Sequence, residues 1–275
     1  MLCEKPFVTD LSAGQELVEL ASSQGRHLVI NQQYRFMESH WQARRLIGSE
    51  EFGELLFLDA RQTFRTDRST EAGWRGSQDR RTLLDFGTHV LDLCRFFFDG
   101  EPVRITARIP KPGASEGADG LVLLRLDFPG DRVAQVTLDR LTRGRHRYLE
   151  LRLDGSRGTL ETRLGGGIHL GLGIRGGTRR PYAEVEISGG GRARLYQGER
   201  WSTIARDPLD LFAHATRRLI RDFLDSLEAG REPKCSAADN LRTVALMLAG
   251  YEAAECGGAL DLDWNPWPRW SKRRP

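Results

Sequence analysis

The segment "RRTLLDFGTHVLDLCRFFFDG" gathers side chains that could do chemistry. Read as a helix, it brings Asp85, His89 and Asp92 within about 60° of one another on the wheel. Leu83, Phe86, Val90, Leu91, Leu93, Cys94, Phe97 and Phe98 cover most of the remaining circumference, and a helix apolar nearly all round is buried. Its narrow polar strip must then face a partner, a cleft or water. Asp85 and His89, at i and i+4, can reach one small polar ligand together. Three readings stay open from the spacing. Asp85 caps the helix and His89 is a satisfied core histidine; or the pair does acid–base work, since an imidazole titrates near neutral pH; or the pair binds a metal. A single Asp-x-x-x-His pair lacks the further ligands a metal needs, so no metal site is expected.

Lys5 stands out by rarity. Of 41 Lys and Arg residues only Lys5, Lys111, Lys234 and Lys272 are lysine. A lysine at position 5 is consistent with a need for a compact, pKa-tunable ammonium that arginine cannot supply. A tempting motif carries less: "GLGIRG", Gly171 to Gly176, matches G-x-G-x-x-G letter for letter. The dinucleotide fingerprint needs a buried strand before the glycines and a helix N-terminus after them. Here "GGGIHL" precedes and "GTRRPY" follows, which reads as loop.

The elements that must hold these residues fall into two textures. The chain opens "MLCEKPFVTD", the end of a buried strand delivering Glu4, Lys5 and Pro6 into a turn. A helix follows over "LSAGQELVELASSQG", with Leu17, Leu20 and Ala21 as its apolar side and Gly25 as its stop, and then a short strand in "HLVINQQYRF". Strand, turn, helix, strand is one unit of a parallel α/β sheet. Another helix in "ESHWQARRLIGSEEFG" closes at about Gly48. Beyond residue 53, "GELLFLDARQTF", "VRITARI", "GLVLLRLDF", "RVAQVTLDRL" and "RYLELRLDGSRGTLETRL" alternate apolar with polar residues between turn signals. That pattern predicts a mostly antiparallel sheet with one wet face. Residues 165–191 are glycine-rich and loop-like, with "AEVEIS" as a strand inside them. Two helices end the chain. One starts at Asp207-Pro208 with a stripe of Phe212, Ala215, Leu219, Phe223 and Leu227; the other is opened by Ser236 and Asp239 and stopped at Gly257.

Composition narrows the partners. With 275 residues, 39% hydrophobic and 29% charged, the chain can bury a full core, and no run approaches the ~18 apolar residues of a membrane helix. The start has no apolar signal region, which predicts a cytoplasmic protein. A net charge of +3 with interspersed acids gives no ground for nucleic-acid binding, and Cys3, Cys94, Cys235 and Cys256 have no metal or redox spacing.

In order along the chain, "CEKP", "YRF" at Tyr34 to Phe36, "GWR" at Gly73 to Arg75, "LLDFGTHVLD" at Leu83 to Asp92, "DGSRGTLE" and "FLDSLEAGREPKCSAADNLRTVALMLAGYEAA" resemble the glucose-fructose oxidoreductase and inositol dehydrogenase (Gfo/Idh/MocA) family. The resemblance spans nearly the whole chain. It implies an α/β (α+β) fold: residues 1–36 as the C-terminal remnant of an NAD(P)-binding Rossmann domain, and residues 37–275 as a substrate and oligomerisation domain built on a large, open, mainly antiparallel sheet. It also implies that three or so βα units, on the order of 90 residues, precede Met1 and carry the true phosphate loop.

By the same resemblance Lys5, Asp85 and His89 surround the carbon that exchanges hydride with a nicotinamide. Glu4 and Lys5 lie beside the nicotinamide ribose, Trp74 and Arg75 approach the cofactor, and Tyr34 and Arg35 shape the pocket. The cofactor is NAD or NADP, the partner a small molecule, and the assembly a homodimer or higher oligomer through the sheet. Arg80 and Arg81 stand where the family has a Gly-Gly run. The implied function is an NAD(P)-dependent oxidoreductase of a sugar, polyol or related hydroxy compound. The alternatives are a non-catalytic assembly protein and an NAD-dependent glycosidase.

Overall fold

The alternating strands build one ten-stranded sheet, and the apolar helix segments lie against it. In the computed structural model, residues 1–64, 80–111, 119–142, 148–165, 189–272 and the backbone of 168–174 and 181–187 are described. Strands β1 (Leu2–Cys3) and β2 (Val29–Ile30) pair in parallel around helix α1 (Leu11–Ser23), whose first turn is capped by the Asp10 carboxylate accepting from the Ala13 N–H. A 3₁₀ turn (Gln33–Phe36) leads into α2 (Glu38–Leu46) and β3 (Leu55–Thr63). A π-helical turn (Thr82–Gly87) runs directly into α3 (Thr88–Phe98). Strands β4 (Arg104–Arg108), β5 (Leu121–Phe128), β6 (Arg132–Asp139), β7 (Leu149–Gly155) and β8 (Thr159–Leu164) follow. Then come the hairpin β9 (Ile168–Ile174) and β10 (Pro181–Ile187), strands β11 (Gly191–Gln197) and β12 (Arg200–Asp207), helices α4 (Leu211–Ala229) and α5 (Ala237–Cys256), and strands β13 (Leu260–Asp263) and β14 (Arg269–Lys272).

The large sheet has the order β12-β11-β8-β7-β3-β6-β5-β4-β13-β14. Only β3 and β6 run parallel; every other neighbouring pair is antiparallel. The period of two divides its faces. Leu58, Ala60, Leu124, Leu126, Val136, Leu138, Leu151 and Leu153 are buried under the helices. On the other face Asp59 lies opposite Arg152, itself opposite Glu161, and Arg61 lies opposite Glu150, itself opposite Arg163. Opposite charges in cross-strand register stabilise such a solvated face.

Helix α5 is buried along most of its length, between α1, α3 and the sheet. A Cβ at Gly250 would stand 2.9 Å from a Leu83 methyl and 3.2 Å from one of Leu124, so a glycine there lets α5 seat the π-helical turn against the sheet.

Several expectations shift. The glycine-rich stretch is not all loop: Gly171 and Gly173 are paired residues of β9, opposite Glu184 and Tyr182 of β10. Leu17 and Leu20 are exposed, and α1 instead turns Gly14 toward Leu241. Asp207 ends β12, and α4 starts four residues later because Pro208 and the turn after it intervene. Its buried side is Leu211, Ala215 and Leu219, with Phe212 and Leu227 exposed, since α4 packs by one side against the 3₁₀ turn. Ser236 does cap α5, its hydroxyl accepting from the Asp239 N–H at 3.2 Å.

Candidate active site

The site forms where the carboxyl ends of β1 and β2 meet the start of α3. Lys5 leaves the end of β1, and its ammonium donates to Asp85 twice, to Oδ1 at 2.8 Å and to the main-chain carbonyl at 2.6 Å. Both side chains are largely buried, at 15% and 13% exposure, so this pair is less screened than a surface one. His89, one turn after Asp85, is 4% exposed. Burial, and then the nearby Lys5 charge, hold its imidazole well below the usual histidine range, so it is neutral at pH 7.

The segment after β2 supplies the next layer. Gln32 Oε1 lies 2.8 Å from His89 Nδ1, and Gln32 Nε2 donates to Thr88 Oγ1 at 3.1 Å. The Tyr34 ring stacks on the His89 ring, centroids 4.0 Å apart and planes 5° apart. Tyr34 and Tyr148 share a hydroxyl–hydroxyl bond of 2.6 Å. Burial, then Tyr148 and Asp85, raise the Tyr34 pKa, so its phenol stays protonated. Phe212, from α4, meets both tyrosine rings and gives the cluster an apolar rim. Glu4 is exposed and accepts from Asn31 Nδ2 at 2.8 Å, which ties the ends of the two parallel strands together.

The polar strip on the wheel therefore divides. Asp85 lies in the π-helical turn and faces Lys5, whereas Asp92 is fully buried and turned away. Arg35 grips Asp92 with two bonds of 2.6 Å and also reaches Asp239 at 2.8 Å. Arg95 joins Asp239, Glu101 and Thr243 to the same network. Arg35 is thus engaged behind the site, while Tyr34, its neighbour, packs on His89. Trp74 and Arg75 lie outside the described residues.

Asp119 anchors the π-helical turn from outside. Its carboxylate accepts from the N–H groups of Arg81, Thr82 and Leu83 at 2.9, 2.8 and 3.3 Å and from the Tyr251 hydroxyl at 2.6 Å. Sequence reasoning missed Gln32, Tyr148 and Asp119. Gln32 had a signal, an amide run "NQQ" directly after an apolar strand where unpaired amides would be costly. Tyr148 and Asp119 had none, because both stand far along the chain from the residues they touch. Among the described residues no group of three or more acidic, His or Cys side chains could hold a metal.

Residues 40–161 match the model of the GFO/IDH/MocA C-terminal domain. D-apiose dehydrogenase of Rhizobium rhizogenes is 26% identical over 266 residues, 95% of this chain and 72% of that protein. Inositol 2-dehydrogenase of Mycolicibacterium smegmatis is 28% identical over 268 residues, covering 95% and 70%. In the same fold, an oxidoreductase from Agrobacterium radiobacter solved with NAD+, L-tartaric acid and magnesium superposes with a TM-score of 0.74 at 22% identity, over 94% of this chain and 72% of that one. Aldose-aldose oxidoreductase from Caulobacter crescentus, solved with glycerol, gives 0.73 at 18% identity, over 95% and 71%.

Proposed function

Because this chain belongs to the Gfo/Idh/MocA oxidoreductase family, we propose that it acts as an NAD- or NADP-dependent oxidoreductase on a hydroxyl of a sugar, polyol or related compound. The observation that carries the reading is the Lys5–Asp85 ion pair beside a neutral, buried His89.

The residues present fit one end of a dinucleotide. Open α/β sheets take ligands at the carboxyl ends of their parallel strands, and here those ends carry Glu4, Lys5, Asn31 and Gln32. Lys5 and Glu4 would border a nicotinamide and its ribose. Among the described residues no strand, glycine turn and helix stand in sequence to hold a pyrophosphate, since Gly171 and Gly173 belong to a hairpin strand. A bound nicotinamide supplies the hydride acceptor or donor, which no side chain can.

The side chains do the rest. The Lys5 ammonium is aimed by Asp85 and polarises the substrate oxygen, and the neutral imidazole of His89 removes the hydroxyl proton as the carbon is oxidised. Asp85 orients the substrate through the Lys5 ammonium that it holds, or tunes His89. Phe212, with the half-buried Tyr148 beside it, offers the apolar rim against which the C–H face of a ring compound packs. On this reading residues 1–36 close a nicotinamide-binding unit and residues 37–275 form the substrate and oligomerisation domain.

Titration with NADH and NADPH, read by energy transfer from the six tryptophans, tests the cofactor. Turnover on a panel of aldoses and inositols with NAD+ or NADP+ tests the reaction. Saturable binding with substrate-dependent reduction, lost in His89→Ala, is expected. Absence of both binding and turnover across the panel would remove the proposal.

A further inference from the structure

We propose that Gln32 sets the tautomer of His89, keeping the ring proton on Nδ1 and leaving Nε2 as the lone pair offered to a substrate. The inference rests on the acid–base reading of His89 for its consequence in turnover, but the tautomer itself is a property of the folded chain.

The geometry is closed on three sides. Gln32 is 1% exposed and Thr88 fully buried, so the amide is shielded from bulk solvent. Its Nε2 donates to Thr88 Oγ1 at 3.1 Å, and this turns Oε1 toward His89 Nδ1, 2.8 Å away. An amide oxygen can only accept, so the facing nitrogen must carry the hydrogen. The stack of Tyr34 on the imidazole fixes the plane of the ring. Within that plane only a half-turn of the ring would exchange its edges, and it would cost the buried Gln32 bond.

Nε2 is engaged by no described side chain, and His89 keeps a residual 4% exposure. His40 shows the contrast. Its Nδ1 donates to the Tyr34 carbonyl at 2.8 Å, yet its Nε2 is completely buried without a partner. Both rings are held as Nδ1–H, but only His89 stands beside Lys5. Burial keeps His89 neutral, and a neutral ring is the only form in which the choice of tautomer matters.

Gln32 is therefore a positioning residue, acting through His89. The test is the two-bond proton–nitrogen spectrum of the 275-residue protein labelled with ¹⁵N-histidine at pH 8, with His89 assigned by its loss in His89→Gln. A protonated Nδ1 and bare Nε2 are expected for His89 in the unsubstituted protein and in Gln32→Glu, which keeps an oxygen acceptor. Gln32→Leu should release His89 to the Nε2–H form while His40 stays as it was. In turnover, Gln32→Leu should lower kcat about 10-fold or more with KM little moved, as misplacing a catalytic imidazole's proton does, and Gln32→Glu should retain kcat while moving its acid limb to higher pH. An Nε2–H ring in the unsubstituted protein, meaning a reversed Gln32 amide, overturns the proposal, as does an unchanged His89 tautomer in Gln32→Leu. Full turnover by His89→Ala would remove the base role of His89 instead, and is distinguishable because the spectrum does not depend on it.

Discussion

Lys5 Nζ lies 2.8 Å from Asp85 Oδ1, eighty positions away, and 2.6 Å from the carbonyl of the same residue. Two bonds to one residue aim the ammonium more tightly than a single ion pair would. Lys5→Met should lower kcat about 100-fold, in line with removing a group that acts on the reacting oxygen. Lys5→Arg should fail to restore it, because a planar guanidinium cannot occupy the point position of an ammonium. Steady-state kinetics beside circular dichroism checks both; near-normal kcat in Lys5→Arg would mean that only charge is needed.

The His89 imidazole gives a pH signature. Its folded-state pKa lies well below the ordinary value of 6.5, because of burial and then Lys5. As a base it works in its neutral form, so kcat/KM should stay level through neutrality and fall only well below pH 6.5. Stability carries the same sign. With the folded pKa depressed, the unfolded chain binds the extra proton, so the contribution of His89 is full above 6.5 and is lost as pH falls from there through the folded value. His40, also lowered by burial, adds in the same direction. Denaturant midpoints between pH 8 and 5 should fall with acidity, and less steeply in His40→Gln. A flat profile would contradict neutral burial of these rings.

How far the sequence foretold this arrangement depends on periodicity and on distance. The alternation in β5, β6 and β7 announced the sheet and its wet face, because a strand's period is local. The hairpin β9–β10 was half hidden, since Gly171 and Gly173 remove the side chains that make a strand legible. The helical wheel placed Asp85, His89 and Asp92 together on the assumption of a regular helix. A π-helical turn ends at Gly87, and Asp92 points instead to Arg35. The family resemblance supplied Lys5, which no local pattern could have joined to Asp85. Tyr148 and Gln32 depend on long-range packing and left only faint local marks.

The Arg35–Asp92 pair should be worth more to folding than to turnover. Asp92 is fully buried and held by two bonds, with Asp239 and Arg95 completing the network. Removing one partner leaves a buried charge uncompensated, so Arg35→Met should destabilise by about 3–5 kcal/mol. Asp92→Asn/Arg35→Met together should recover part of that loss. Urea unfolding of the two single variants and the double variant checks the coupling, and additive losses would argue against it.

Tyr34 should be sensitive to its ring and tolerant at its hydroxyl. The ring is what stacks on His89, at 4.0 Å, whereas the hydroxyl bonds to Tyr148. Tyr34→Phe keeps the stack and loses one hydrogen bond, a change of about 1 kcal/mol in stability. Tyr34→Leu loses the face that fixes the imidazole plane, and kcat should fall further than in Tyr34→Phe. If both variants turn over alike, the stack is packing alone.

Asp119 should govern the site from a distance. It accepts three successive main-chain N–H groups at the start of the turn that carries Asp85, the role an N-cap side chain plays locally, here supplied by a remote loop. The Tyr251 hydroxyl, from the buried face of α5, bonds to the same carboxylate at 2.6 Å and ties that loop to the central helix. Asp119→Ala would leave several buried donors unpaired at once, so its cost should exceed the ~1–2 kcal/mol of a single lost cap. Asp119→Asn keeps one oxygen acceptor and should cost less. Tyr251→Phe removes one bond and should change stability by about 1 kcal/mol with little effect on kcat. Because the turn sets where Asp85 stands, Asp119→Ala should also lower kcat under conditions where it remains folded, whereas Tyr251→Phe should not. Thermal melts paired with kinetics separate the two, and an Asp119→Ala protein that is destabilised but fully active would show that Lys5 alone keeps Asp85 in place.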